Sequence, residues 1–280
     1  MNQRGVRDVT TRQEFGADSQ VDRKAVVLEP GRWAEYDPFM LLAEDWFSAV
    51  GFDWHPHSGM ETVTLVLEGE LEHRDNHGGH GVLGPGDAQW MTAGKGLFHA
   101  ELAYERRPVR TLQLWVNLPA KEKMTDPHYQ DLRAADMPVR EEPGVRALVY
   151  SGRSGAVRGP AGNYVPVTMV VADLEPGASF VQEIPGDQNG FVYVISGEGR
   201  FGPDGAVAKA GQVVHLEPGD DAELTGLAMT ADEELRLVLW AGRPLREPVE
   251  AYGPLVASTR QELAQSFAAI ETGRFGPIPT

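Results

Sequence analysis

Cysteine is absent from this chain, which excludes a disulfide framework, thiolate metal sites and thiol nucleophiles. Also lacking is any run of about 18 apolar residues that could span a membrane, and Met1 to Gly16 has no apolar core of the kind a secretory signal needs. A soluble cytoplasmic protein is the expectation. Positive charge is scarce: 25 Lys and Arg stand against 41 Asp and Glu, a formal net charge of -16. No basic stripe interrupts that surface, so direct contact with nucleic acid or anionic lipid is not expected. The acidity itself reads most simply as a solubility feature.

What the chain has in quantity is turn formers. Its 32 Gly and 20 Pro fall at short intervals between β-branched and aromatic runs, the pattern of an all-β chain of hairpins. Glu61 to Leu67 alternates, Gly69 breaks it, and Glu70 to Arg74 alternates again before the turn cluster Asn76 to Gly79. Further short strands are predicted at Ala88 to Met91, Leu97 to Leu102 and Thr111 to Val116, a spacing that suits a sandwich or barrel.

The second half repeats the first. Phe191 to Ile195 before Gly197 echoes Val63 to Leu67 before Gly69, and Ala210-Gly211-Gln212 echoes Pro85-Gly86-Asp87. The charged, Pro-containing stretch Ala134 to Gly144 is the candidate linker. Near the C-terminus, Thr259-Arg260-Gln261-Glu262 is a capping box that opens a helix with Leu263, Phe267 and Ile270 on one face and Gly273 at its end.

Chemistry concentrates in His55-Pro56-His57 and His99-Ala100-Glu101. Alternate residues of a strand share a face, so each triplet presents a chelating pair, and two neighbouring strands can converge on one ion. Three imidazoles and a carboxylate leave open positions on a divalent first-row metal, as in non-haem iron sites and unlike closed thiolate zinc sites. Glu61 is a second candidate carboxylate at a spacing that many such sites use; its other reading is an acceptor that orients a ligand imidazole. The repeat matches Glu183 and Pro185 to His55 and His57, and Leu224 and Gly226 to His99 and Glu101, so the second half has no metal site. His73, His77 and His80 read as a solvated hairpin tip, and His128 and His215 as structural. Trp46, Phe47, Phe52 and Trp54 read as core first and cavity lining second. Gly94-Lys95-Gly96 has no helix start behind it to cradle a phosphate.

The chain resembles the pirin family of the cupin superfamily along nearly its whole length. The motifs that carry this are Asp37 to Leu42, His55 to Thr64, Leu67 to Asp75, Pro85-Gly86-Asp87, Gln89 to Gly94, His99-Ala100-Glu101, Gln113 to Pro119, Tyr129-Gln130, Gly253-Pro254 and Thr272 to Gly276. The resemblance implies a bicupin: two stacked cupin β-barrels with a short C-terminal helix. Residues 1–137 form the metal-binding barrel and 138–280 a metal-free barrel that ends in the helix. It favours Glu101 over Glu61 as the fourth ligand beside His55, His57 and His99. Fe(2+) is the metal it implies, with Mn, Ni, Cu, Zn and Co as alternatives. Two activities follow by resemblance. One is a quercetin 2,3-dioxygenase-like reaction of a flavonol-like aromatic with O2, in which Glu101 accepts the substrate's hydroxyl proton. The other is a non-enzymatic, redox-sensing regulator acting through a protein partner. Ser58, Met60, Ala100 and Leu102 depart from the commonest family pattern beside the ligands, which places substrate fit in question.

Overall fold

The computed structural model describes residues 1–49, 51–219 and 224–279. Its strands form two compact units. The first combines Glu14–Glu35, Phe39–Ala134 and Leu245–Thr280, and the second Met1–Gln13, Tyr36–Pro38 and Ala135–Pro244.

Strands of the first unit are β1 (Arg23–Leu28), β2 (Phe39–Phe47), β3 (Gly51–His57), β4 (Met60–Glu68), β5 (Leu71–Asp75), β6 (His80–Leu83), β7 (Ala88–Thr92), β8 (Leu97–Ala103), β9 (Val109–Asn117) and β10 (His128–Leu132). One sheet runs in the order β10-β7-β4-β9-β2-β1, with Gln13–Phe15 at its edge, and the other in the order β3-β8-β5-β6. Val66, Phe47 and Val109 of the larger sheet pack against Leu71, Leu83 and Ala103 of the smaller one.

In the second unit the strands Val145–Ser151, Val167–Leu174, Leu235–Gly242, Asn189–Ser196 and Gln212–Leu216 follow one another in the order that β1, β2, β9, β4 and β7 take in the first. The duplication predicted from sequence is thus a duplication of topology. Its two glycine turns match in detail. Gly69 has φ +75 and a Cβ there would lie 2.1 Å from the Pro108 carbonyl oxygen; Gly197 has φ +81 and would meet the Glu234 oxygen at 2.1 Å. Only glycine fits a left-handed turn pressed that closely on a neighbouring backbone.

A single cut near residue 137 does not describe this division, because both chain ends cross over. The strand Val6–Thr11 pairs with Gln212–Leu216, and the fully buried Arg4 donates to Thr225 Oγ1, the Glu217 carbonyl and the Pro185 carbonyl at 2.9 Å each. The C-terminal helix, α1 (Arg260–Glu271), joins the first unit. Its predicted capping box is present, with Thr259 Oγ1 accepting from the Glu262 amide and Glu262 Oε2 from the Thr259 amide. Leu263, Ala269 and Ile270 pack on Phe98, Leu255 and Phe275, so the helix belongs with the barrel expected to bind metal rather than with the second one. Phe267 stays 38% exposed and meets Tyr252 edge-on.

Candidate metal centre

The strands β3 and β8 pair antiparallel with His55 directly opposite His99 and His57 opposite Leu97. Pleating turns His55, His57 and His99 to one side, as their spacing predicted, and the three rings face each other with centroids 4.4 to 5.0 Å apart. His55 Nε2 lies 3.1 Å from His57 Nε2 and 2.9 Å from His99 Nε2. His57 and His99 are 1% exposed, whereas His55 is partly open to solvent. Among the described residues these three make up the only close group of metal-ligating side chains.

Their protonation suits ligation. His55 Nδ1 is 2.7 Å from the Asp53 carbonyl oxygen, to which it can only donate, so its Nε2 carries the lone pair that faces the other rings. Burial holds the His55 imidazole below its ordinary pKa and those of His57 and His99 well below it, reinforced in the last two by the neighbouring rings. Neutral imidazoles with Nε2 atoms this close repel each other unless a cation or a shared proton lies between them. The donor set therefore fits a divalent metal.

Glu101 stands outside that close group. A register shift between His99 and Glu101 interrupts the β3–β8 pairing, and the Glu101 carboxylate is held from the larger sheet. Thr64 Oγ1 donates to Oε1 at 2.8 Å and Gln113 Nε2 to Oε2 at 2.5 Å, while Gln113 Oε1 accepts from Trp115 Nε1 at 3.0 Å. Burial raises the Glu101 pKa, and the two hydrogen bonds act against that rise. Asp45, buried on β2, is pushed to about 7 by burial and by the Glu101 charge. The barrel interior thus holds a second acid whose ionisation competes with that of Glu101, a coupling with no signature in sequence.

Glu61 does not orient a ligand imidazole. It accepts from Thr92 Oγ1 at 2.7 Å, and strand alternation puts it on the opposite face of β4 from Thr64, the residue that reaches Glu101. The residue that does meet one of the three rings is His73. Sequence spacing placed it in an exposed hairpin tip, yet it is 2% exposed, pairs opposite Glu101 on β5, and lies with Nε2 3.0 Å from His99 Nδ1. Burial lowers its pKa to about 4. His80 does stay at the exposed tip, paired with Glu72. Of the four aromatic candidates, Phe52 meets His55 at 6.3 Å between ring centroids, and Phe47 is core. Trp115, which sequence reading missed, meets His57 edge-on at 5.6 Å.

Among the described residues of the second unit no comparable group comes together. Its ladder places Glu183 opposite Gly226, as the first places His55 opposite His99, and Glu183 Oε2 accepts from Arg140 and from the Gly155 amide.

The pirin family profile matches residues 14–116, and the profile of the pirin C-terminal cupin domain matches residues 169–276. The chain belongs to the pirin family. Pirin from Homo sapiens is 38% identical over 246 residues, which covers 86% of this chain and 83% of the human one. A crystal structure from Geobacillus kaustophilus is 52% identical, with TM-score 0.86, and covers 89% of this chain and 99% of its own. Quercetin 2,3-dioxygenase from Acinetobacter baumannii is 28% identical, with TM-score 0.88 over 99% of this chain and 100% of its own. This pirin is accordingly an all-β protein of two cupin domains, of which the first carries the histidine cluster.

Proposed function

We propose that this pirin is a divalent-metal oxidoreductase of the quercetin 2,3-dioxygenase type, using ferrous iron to cleave flavonol-like aromatics with O2. The observation that supports this reading best is the convergence of His55, His57 and His99 on one another, with the Nε2 atom of His55 3.1 and 2.9 Å from those of its two neighbours. Similarity to the Acinetobacter dioxygenase over the whole chain adds weight. His55, His57 and His99 would hold the ion, with Glu101 as the fourth ligand. When bound, the metal supplies Lewis acidity toward a substrate enolate and one-electron chemistry toward O2.

The remaining work falls to the chain's own residues. Glu101 takes the hydroxyl proton of the substrate on a carboxylate oxygen. Thr64 and Gln113 fix its orientation, and Trp115 fixes Gln113. Phe52 and Trp115 give the ring of an aromatic substrate apolar surface beside the ligands. For quercetin the balanced outcome is a depside and carbon monoxide: two carbon–carbon bonds of the central ring break, both oxygen atoms enter the depside, and one ring carbon leaves as CO.

The test is oxygen uptake by protein loaded anaerobically with iron, on addition of quercetin, with His99→Ala treated identically. Uptake by the unaltered protein alone, with CO released, is the expected result. Equal rates in metal-free protein would refute the scheme. No uptake at all would favour the non-catalytic reading, in which the oxidation state of the metal sets affinity for a protein partner.

A further inference from the structure

A cavity of about 710 Å³ lies in the second unit, lined in part by Ser151, Arg153, Arg158, Asn163, Thr168 and Gln188. Its size suits a small organic ligand, and two features of its wall lack a partner among the described residues.

The first feature is a pair of like charges. Arg153–Ser154 and Val157–Arg158 form a two-stranded ribbon in which Arg153 stands directly opposite Arg158. Like charges at opposed positions destabilise a ribbon, and among the described residues neither guanidinium has a carboxylate partner. The neighbouring acid is already committed, since Glu183 is paired with Arg140 and the Gly155 amide. Glu183 itself also lines the cavity, so the two guanidiniums are the unpaired charges of its wall among the described residues. The ribbon is also held in place: Gln182 Nε2 donates to the Arg153 carbonyl at 2.8 Å, and the Gly159 amide to that of Gly152 at 3.0 Å.

The second feature is Gln188. It is 5% exposed, it lines the cavity, and its Oε1 has no hydrogen-bond partner. A buried amide oxygen left unpaired is destabilising, and a donor on a ligand would relieve that cost. Asn163 and Ser151 do not compete for it, because they bond to each other at 2.9 Å.

We propose that this cavity is a second ligand site, for a small hydroxycarboxylate: the carboxylate lies between Arg153 and Arg158, and the hydroxyl donates to Gln188 Oε1. Planar guanidiniums match a carboxylate in charge and geometry. The site is separate from the histidine cluster and needs no metal.

The probe is 4-hydroxybenzoate, titrated calorimetrically into the full chain beside benzoate and phenol. Saturable binding of 4-hydroxybenzoate is expected, with phenol at least about tenfold weaker. The double variant R153Q/R158Q, altered only at exposed side chains, should weaken both benzoates by a similar factor. Q188L should weaken 4-hydroxybenzoate to the level of benzoate and leave benzoate unchanged, a selectivity that simple loss of folding would not produce. His99→Ala should bind 4-hydroxybenzoate as the unaltered protein does. Absence of saturable binding at millimolar ligand, equal affinity in R153Q/R158Q, or loss of binding in His99→Ala would each overturn the proposal.

Discussion

His73 Nε2 lies 3.0 Å from Nδ1 of His99, on the side of that ring turned away from the other two imidazoles. For His99 to offer its Nε2 lone pair to a metal, its Nδ1 must carry the proton, and His73 is the acceptor that holds it there. Replacing His73 by Phe should therefore weaken metal binding about 10- to 100-fold. His73→Gln, which keeps an acceptor, should recover part of the loss. Competition with a chromogenic chelator measures both.

The carboxylate clamp is expected to act on rate more than on occupancy. Glu101→Gln should retain some metal on three imidazoles and lose turnover by about 100-fold or more, the usual worth of a positioned base. Gln113→Leu frees Glu101 Oε2 and removes the partner of Trp115, so a smaller loss should follow, again with metal retained. Metal analysis and oxygen uptake on the same samples separate the two effects; a Glu101→Gln protein of full activity would remove the base from the scheme.

Arg4 should matter to stability and not to metal. Its guanidinium donates to Thr225 Oγ1 and to the Gln188, Glu217 and Pro185 carbonyls inside the second unit, and Arg4→Met removes all four hydrogen bonds. A loss of about 3–5 kcal/mol is expected, read by urea unfolding, with unchanged metal content because the cluster lies in the other unit.

Glu61 supplies a pH dependence. Burial raises its carboxyl to about 7, against the pull of the Thr92 hydrogen bond, so the folded state holds this proton more tightly than the unfolded chain does. Its contribution to stability is full below the unfolded value of 4.5 and is lost as pH rises toward about 7. Glu61→Gln keeps an acceptor for Thr92 and removes the charge. Relative to the unaltered protein it should gain about 1–3 kcal/mol at pH 8 and almost nothing at pH 4. Thermal unfolding of metal-free protein at the two pH values is the check.

The sequence by itself determined the strand-and-turn pattern, the duplication and the histidine cluster, because each is written in short-range spacing. Alternation makes His55 and His57 share a face, Gly69 and Gly197 mark equivalent turns, and Thr259 to Glu262 spells a helix start. The assignment of Leu224 and Gly226 as equivalents of His99 and Glu101 shows the limit of spacing: the ladder sets Glu183 opposite Gly226, two positions from the match that counting from Gly211 gives.

Tertiary structure alone decided which polar groups surround the cluster and where the chain ends lie. His73 is one histidine of a polar hairpin until the pairing of β5 with β8 places it opposite Glu101 and buries it. Glu61 and Glu101 are alike in sequence until the pleat of β4 sends Thr64 toward Glu101 while Thr92 holds Glu61. Arg4 and α1 are joined to units distant in sequence. All of these depend on strand register and on contacts between residues tens to hundreds of positions apart, and the same amino acids in a one-residue slip would face the other way.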